Sequence, residues 1–419
     1  MSFTRQSMIS LALAGGYAAM ALLISVLGAR LMSLEQYGLY ASVMGHILIL
    51  TAVSSALPQL IVREITTADH WDDRGAVTGM INWSIGWVIA TTLGIAAIAF
   101  AIRVVIEGHD TWWRVFWAGL FVLAAMGLLN VLGAVLRALN RPILSQLPAS
   151  VLRPILQIML LPAVAAITVL TAERAMVLLL VATFIATATA AVLAARELGN
   201  QPHVPMVHRH RIWALAVVTI GMMIACQRIN QHLGTVMLQY LGTFDQVALY
   251  QPAVEALILT GLPALAVSLI LMPRFRRALL SRHLAEQSAL ARHAARLVLA
   301  ITAMASGALI GIGPSGLAAI FGPEFSAAYP GVAIVAAGQL VASLFGSPEV
   351  LMAQANREAL VARIMGLGVV ANIVATALLI PPMGAMGAAV ATASALILIR
   401  VLLWRACRRE LGFSSAVIG

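Results

Sequence analysis

The chain has 419 residues, of which 61% are hydrophobic and only 10% charged, and its mean hydropathy is +0.96. Soluble domains carry roughly 25% charged residues, so a water-soluble globular fold is excluded and the composition reads as a polytopic membrane protein. The formal charge is +10 and every basic residue is Arg. These arginines stand at the ends of apolar runs, without the basic surface and aromatic platforms of a nucleic-acid binder.

Apolar runs of about 20 residues are the unit of membrane crossing. In chain order they fall at 8–30, 38–62, 77–102, 113–136, 146–170, 174–195, 212–240, 246–271, 294–313, 329–352, 359–380 and 384–404, which predicts twelve spans and an all-α polytopic fold. The first run lacks an A-x-A-like cleavage site and is read as a span, not a removed signal peptide. Around 137–153, where the fourth run gives way to the fifth, Arg137, Arg141 and Arg153 frame a short polar turn. Residues 273–296, PRFRRALLSRHLAEQSALARHAAR, are rich in helix formers and are expected to form an amphipathic helix at the membrane face. Cys226 and Cys407 have neither metal nor redox spacing, and no disulfide is expected.

An even number of spans places both termini on one side. The loops on that side hold Arg137, Arg141, Arg153, Arg196, Arg209 and Arg211, six more arginines across 274–296, and Arg405, Arg408 and Arg409 in the tail. The opposite loops hold only Arg30, Arg103, Arg114 and Arg174. The positive-inside pattern then puts both termini in the cytoplasm of a bacterial inner membrane. The net-acidic loop at 63–75, REITTADHWDDRG, dissents, but acidic residues weigh little in topology.

Short motifs recur in order. LMSLEQYGLY at 31–40 returns as LGTFDQVALY at 241–250, RALNRP at 137–142 as AQANRE at 353–358, and LLP at 160–162 as LIP at 379–381. The offsets of 210, 216 and 219 rise slowly, as small loop insertions would make them. Two six-helix lobes follow, residues 1–200 and 201–419, expected as a parallel repeat around a central cleft. The duplicated EQYGLY and DQVALY read as turn-and-start units, with Tyr37, Tyr40 and Tyr250 in an interfacial aromatic belt, or as parts of an outer gate.

GARLMSLEQYGLY at 28–40, IFGPEFSAAYPGVAIVAAGQL at 320–340, LMAQANRE at 351–358 and LLIPPMGAMGAAVATASA at 378–395 carry a family resemblance. They resemble the lipid-linked oligosaccharide flippases of polysaccharide biosynthesis, the O-antigen-type branch of the multidrug/oligosaccharidyl-lipid/polysaccharide exporter superfamily. The resemblance covers nearly the whole chain. It implies two six-helix lobes that move a polyprenyl-diphosphate-linked oligosaccharide outward by alternating access, for lipopolysaccharide or exopolysaccharide synthesis. It also implies membrane lipids, and the glycosyltransferases or polymerase of the pathway, as partners, and no nucleic acid. The acidic 63–75 loop departs from the family pattern, and the extra pair of spans typical of the peptidoglycan-precursor branch has no counterpart here.

Ionisable side chains in hydrocarbon are expensive and face protein or water. Arg228 stands inside the seventh run, with Gln227, Gln231, Thr235 and Leu238 on one helical face. That face reads as a substrate lining that offers charge-assisted hydrogen bonds to a diphosphate, or as a packing network in which Arg228 pairs with Glu255 of the next span. Glu255 either neutralises Arg228 or titrates to couple transport to protons, and Pro252 and Pro263 beside it can kink the helix. Arg30 lines the cleft or snorkels to headgroups. His46, Gln59 and Asn82 are lesser cleft candidates, and a packing role is the plainer reading of His46.

No Walker motif, H-E-x-x-H or nucleophile elbow is present, and there is no Lys. No catalytic residue, metal or cofactor is expected. A proton or sodium gradient, or the substrate gradient, is left as the energy source. Two alternatives stand beside the flippase. A multidrug or cation antiporter of the same superfamily calls for an acidic and aromatic lining. A polysaccharide polymerase or ligase calls for a large external loop, which these short connections do not supply.

Overall fold

Backbone groups in hydrocarbon have no water to bond, so each apolar run closes its own hydrogen bonds as a helix. The computed structural model describes residues 3–67, 74–105, 110–199, 210–281 and 284–417. Its helices are α1 (Phe3–Leu31), α2 (Leu34–Leu50), α3 (Leu57–Thr67), α4 (Arg74–Val105), α5 (Asp110–Ala138), α6 (Pro142–Leu147), α7 (Arg153–Ala165) and α8 (Ala172–Leu198). They continue with α9 (His210–Leu241), α10 (Phe244–Ser281), α11 (Leu284–Phe321), α12 (Tyr329–Ser343), α13 (Pro348–Gln354) and α14 (Glu358–Leu411). The chain is an all-α polytopic membrane protein. It divides inside α9 into two compact units, Met1–Ala225 and Cys226–Gly419.

Among the described residues, ten helical stretches are long and apolar enough to cross a membrane, and Gly15–Leu31 of α1 is a shorter apolar helix. The twelfth span is hidden in α14. A straight helix of its 54 residues would be about 80 Å long against a hydrocarbon core of about 30 Å. Instead the chain turns back at Gly384, whose φ is +55°. Arg357 pairs with Glu410, Gly368 faces Ile399, and Gly387 faces the Leu379 carbonyl. All three pairs are centred on Met383–Gly384, so α14 is an antiparallel hairpin of two spans. Pro381 and Pro382 end its first arm.

Three boundaries differ from the sequence expectation. The fifth span runs from Pro142 to Ala165, not from 146 to 170, so the stretch read as a polar turn is helical from Pro142 onward and Arg153 stands near the middle of the span. Pro148 and Pro154 stand within this span, and a π-helical turn, Pro148–Leu152, carries the helix between them. The tenth span stops at Ser343, after which Gly346 takes φ +71° and α13 forms separately. The segment 273–296 is not a helix of its own: its helix formers extend α10 to Ser281 and begin α11 at Leu284. Loop residues 68–73, the core of the acidic 63–75 segment, lie outside the described residues.

The repeated motifs have matching architecture. The Ser33 hydroxyl accepts from the Gln36 backbone N–H, and the Thr243 hydroxyl accepts from the Gln246 N–H at 3.3 Å. Each satisfies an orphan donor of a helix start, with Glu35 or Asp245 in the favourable first turn. The Gln36 side-chain oxygen then accepts from Ala172 N–H at 3.0 Å, where α8 begins. The Gln246 amide lies against Gly384, where the second arm of α14 begins.

RALNRP and AQANRE close the other end. Asn140 and Asn356 are the two non-glycine residues of positive φ, 60° and 58°, among those described. In each, the following arginine N–H reaches back five residues, Arg141 to Leu136 O and Arg357 to Met352 O, both at 2.9 Å. This is the Schellman closure of a helix C-terminus. The same arginines form ion pairs, Arg141 with Glu197 at 2.9 Å and Arg357 with Glu410 at 3.0 Å. Duplication therefore marks a pair of clamps on the sixth span of each half. Replacing Asn140 or Asn356 by Ala should destabilise the protein by about 1 kcal/mol each, while Gly should be nearly neutral. Thermal unfolding in detergent measures the difference, and equal midpoints for Ala and Gly would contradict the left-handed caps.

Candidate functional site

The polar side chains of the spans separate into satisfied packing groups and a few charged ones. In the first unit, His46 Nδ1 lies 2.9 Å from the Ser42 carbonyl, and its ring meets Trp112 edge-on at 5.2 Å. Trp112 Nε1 donates to the Ser42 hydroxyl at 3.2 Å, which completes a local packing network. Gln59 and Asn82 are exposed on α3 and α4, and Arg30 is exposed at the end of α1.

A guanidinium that the sequence reading assigned to a loop belongs here too. Arg153 donates to the Tyr17 hydroxyl at 2.8 Å and sits 5.8 Å from the Tyr17 ring centroid. Its spacing from Gln146, Ser150 and Gln157 along one run was the available signal.

In the second unit, the face proposed around Arg228 changes burial along α9. Gln227 is exposed, Arg228 and Gln231 are half-buried, and His232 and Thr235 are buried. Arg228 lies about 20 Å from the Leu241 end of a helix about 48 Å long, near its middle. No ion pair includes Arg228 among the described residues, and none joins it to the half-buried Glu255 of α10.

Other polar side chains of this unit bond to one another, although Asn372 Oδ1 is buried with no hydrogen-bond partner. Asn372 Nδ2 donates to Asn230 Oδ1 at 3.3 Å, Tyr250 shares a 2.8 Å hydrogen bond with Thr392, and Gln251 donates to Thr235 at 3.4 Å. Another cation of this unit, Arg400, pairs with Glu349, and both are about one-fifth exposed or less. The sequence reading missed this pair because Glu349 falls at the end of the tenth run. Among the described residues no group of three or more His, Cys, Asp or Glu could hold a metal ion.

No protein-family model and no curated protein matches the chain. Solved structures do. A multidrug resistance MATE family transporter in an inward-facing conformation is 12% identical, with a TM-score of 0.77 over 94% of each chain. The lipid II flippase MurJ, inward closed, is 11% identical with a TM-score of 0.78, over 95% of this chain and 87% of that one. A MOP superfamily transporter from Pyrococcus furiosus, described by a binding pocket of reversed polarity that suggests a different function, is 12% identical with a TM-score of 0.63 over 98% and 95%.

The chain has the fold of the MOP superfamily transporters. Within this fold, MATE structures recur among the matches at 12–16% identity. Identities this low carry the fold and leave the substrate to the side chains.

Proposed function

We propose that this chain is a transporter of the bacterial cytoplasmic membrane that carries a polyprenyl-diphosphate-linked oligosaccharide from the cytoplasmic to the outer leaflet. The observation behind the anionic substrate is Arg228, mid-span, half-buried and outside every ion pair of the described residues. Such a group is costly in a membrane unless an anion or water meets it. Its planar fork suits phosphate oxygens. The arginine-rich side of the chain, placed in the cytoplasm by the positive-inside rule, would attract the anionic donor. Likeness in fold to a lipid II flippase supports a lipid-linked cargo.

A second reading is a multidrug or cation antiporter, and in number the solved structures favour it. Polarity separates the two readings, as the Pyrococcus furiosus transporter suggests for its own pocket. A cationic drug gains nothing from an unneutralised guanidinium. Cells lacking this protein should keep synthesising the lipid-linked glycan but hold it on the cytoplasmic leaflet, as leaflet-specific labelling would show. An unchanged distribution combined with greater sensitivity to cationic dyes would instead select the antiporter.

A further inference from the structure

The first unit contains a mid-membrane arginine of its own. With the fifth span at Pro142–Ala165, Arg153 stands about 17 Å from either end of it. One of its Nη atoms donates to the Tyr17 hydroxyl, and its Nε is buried with no hydrogen-bond partner. Among the described residues no carboxylate pairs with it. Tyr40 of α2 lies within its electrostatic reach, and Gln157, one turn along α7, is only 6% exposed.

A guanidinium carries five N–H donors and no acceptor. Here one donor has a neutral acceptor, another is buried and unmet, and no opposite charge is supplied. Buried donors are almost always matched, so an unmatched one points to a group that arrives from elsewhere. The Tyr17 hydroxyl accepts from Arg153 and retains its own proton to donate. The Arg153 guanidinium and the Tyr17 hydroxyl therefore present donors to one place between α1 and α7. A donor-rich, positively charged site selects a compact oxyanion.

We propose that Arg153, with the Tyr17 hydroxyl, forms an anion-binding site within the first unit that takes a phosphate-type group. Identifying that group as the diphosphate of a lipid-linked substrate rests on the function proposed above; the site itself does not.

The test uses the full chain in phosphatidylcholine nanodiscs and equilibrium binding of three radiolabelled probes: inorganic pyrophosphate, farnesyl diphosphate and farnesol. Arg153→Gln should weaken both diphosphate probes by about tenfold or more and leave farnesol unchanged. Arg153→Lys should fall between, since it keeps charge and loses the fork. Tyr17→Phe, which keeps the ring packing, should weaken the same two probes by a smaller factor. Unaltered diphosphate affinity in folded Arg153→Gln and Arg153→Lys would overturn the proposal.

The arms separate it from the wider reading. Farnesyl diphosphate binding that depends on Arg228 and ignores Arg153 would overturn the site and keep the lipid-linked substrate. Arg153-dependent binding in which farnesyl diphosphate is no tighter than pyrophosphate would support the site and count against a lipid-linked cargo. Adding phosphatidylglycerol tests the remaining source. If it competes with pyrophosphate in wild type but not in Arg153→Gln, the site holds a lipid headgroup phosphate. Failure of wild type to bind either diphosphate would overturn both.

Discussion

Arg228→Ala should insert normally and lose transport by about tenfold to a hundredfold per correctly inserted molecule, the range for removing hydrogen bonds to a charged group. Its effect on stability is the informative part. Had Arg228 been the partner of Glu255, its removal would strand a half-buried carboxylate and lower abundance, with Glu255→Gln restoring it. No ion pair joins the two among the described residues, so Arg228→Ala should be as stable as wild type or more so, because an uncompensated charge leaves the membrane. Arg228→Gln combined with Glu255→Gln should remain folded and inactive. Arg228→Lys should retain partial activity, having the charge without the fork. In the antiporter reading the sign reverses: Arg228→Ala would raise efflux of a cationic dye such as ethidium. Wild-type glycan transport by Arg228→Ala at normal abundance would remove this residue from the substrate path.

Helices and their duplication were legible because both follow from local chemistry. Hydroxyl, acid and glutamine at 33–36 and 243–246 specify a helix start wherever they occur. Asn before Arg at 140–141 and 356–357 writes a left-handed cap in the same way. What the motifs hold was not legible, since Gln36 reaches Ala172 across 136 residues. Arg153 was misplaced for a related reason: Pro142, Pro148 and Pro154 are local signals for a break, and only packing against α1 shows that the helix continues through a π turn. His46 shows the opposite case, in which a polar residue in a span is absorbed by a neighbour's carbonyl and a tryptophan edge. Local grammar gives elements; partners distant in sequence decide which polar residues are left over for function.

Gly387→Ala should be among the most damaging single substitutions in the chain, although it adds one methyl group to a helix. A Cβ at 387 would lie 2.1 Å from the Leu379 carbonyl oxygen and 2.5 Å from its carbon, backbone atoms that no rotamer change can move. The two arms of α14 meet there just beyond the turn at Gly384, so relief requires opening the hairpin itself. Overpacking of this kind costs about 3 kcal/mol or more, against the roughly 1 kcal/mol that Ala ordinarily gains over Gly in a helix. Two neighbours supply the scale. Gly368→Ala would press on the Ile399 side chain at 2.2 Å, which can rotate away, and should be milder. At Gly366 nothing lies within 4 Å of the added carbon, so Gly366→Ala should be neutral or stabilising. Membrane abundance and thermal aggregation of the three variants should therefore rank 366, then 368, then 387 from most to least stable. If Gly387→Ala matched Gly366→Ala, the close approach of Leu379 and Gly387 would be wrong. The turn that makes two spans out of α14 would then lose its tightest support.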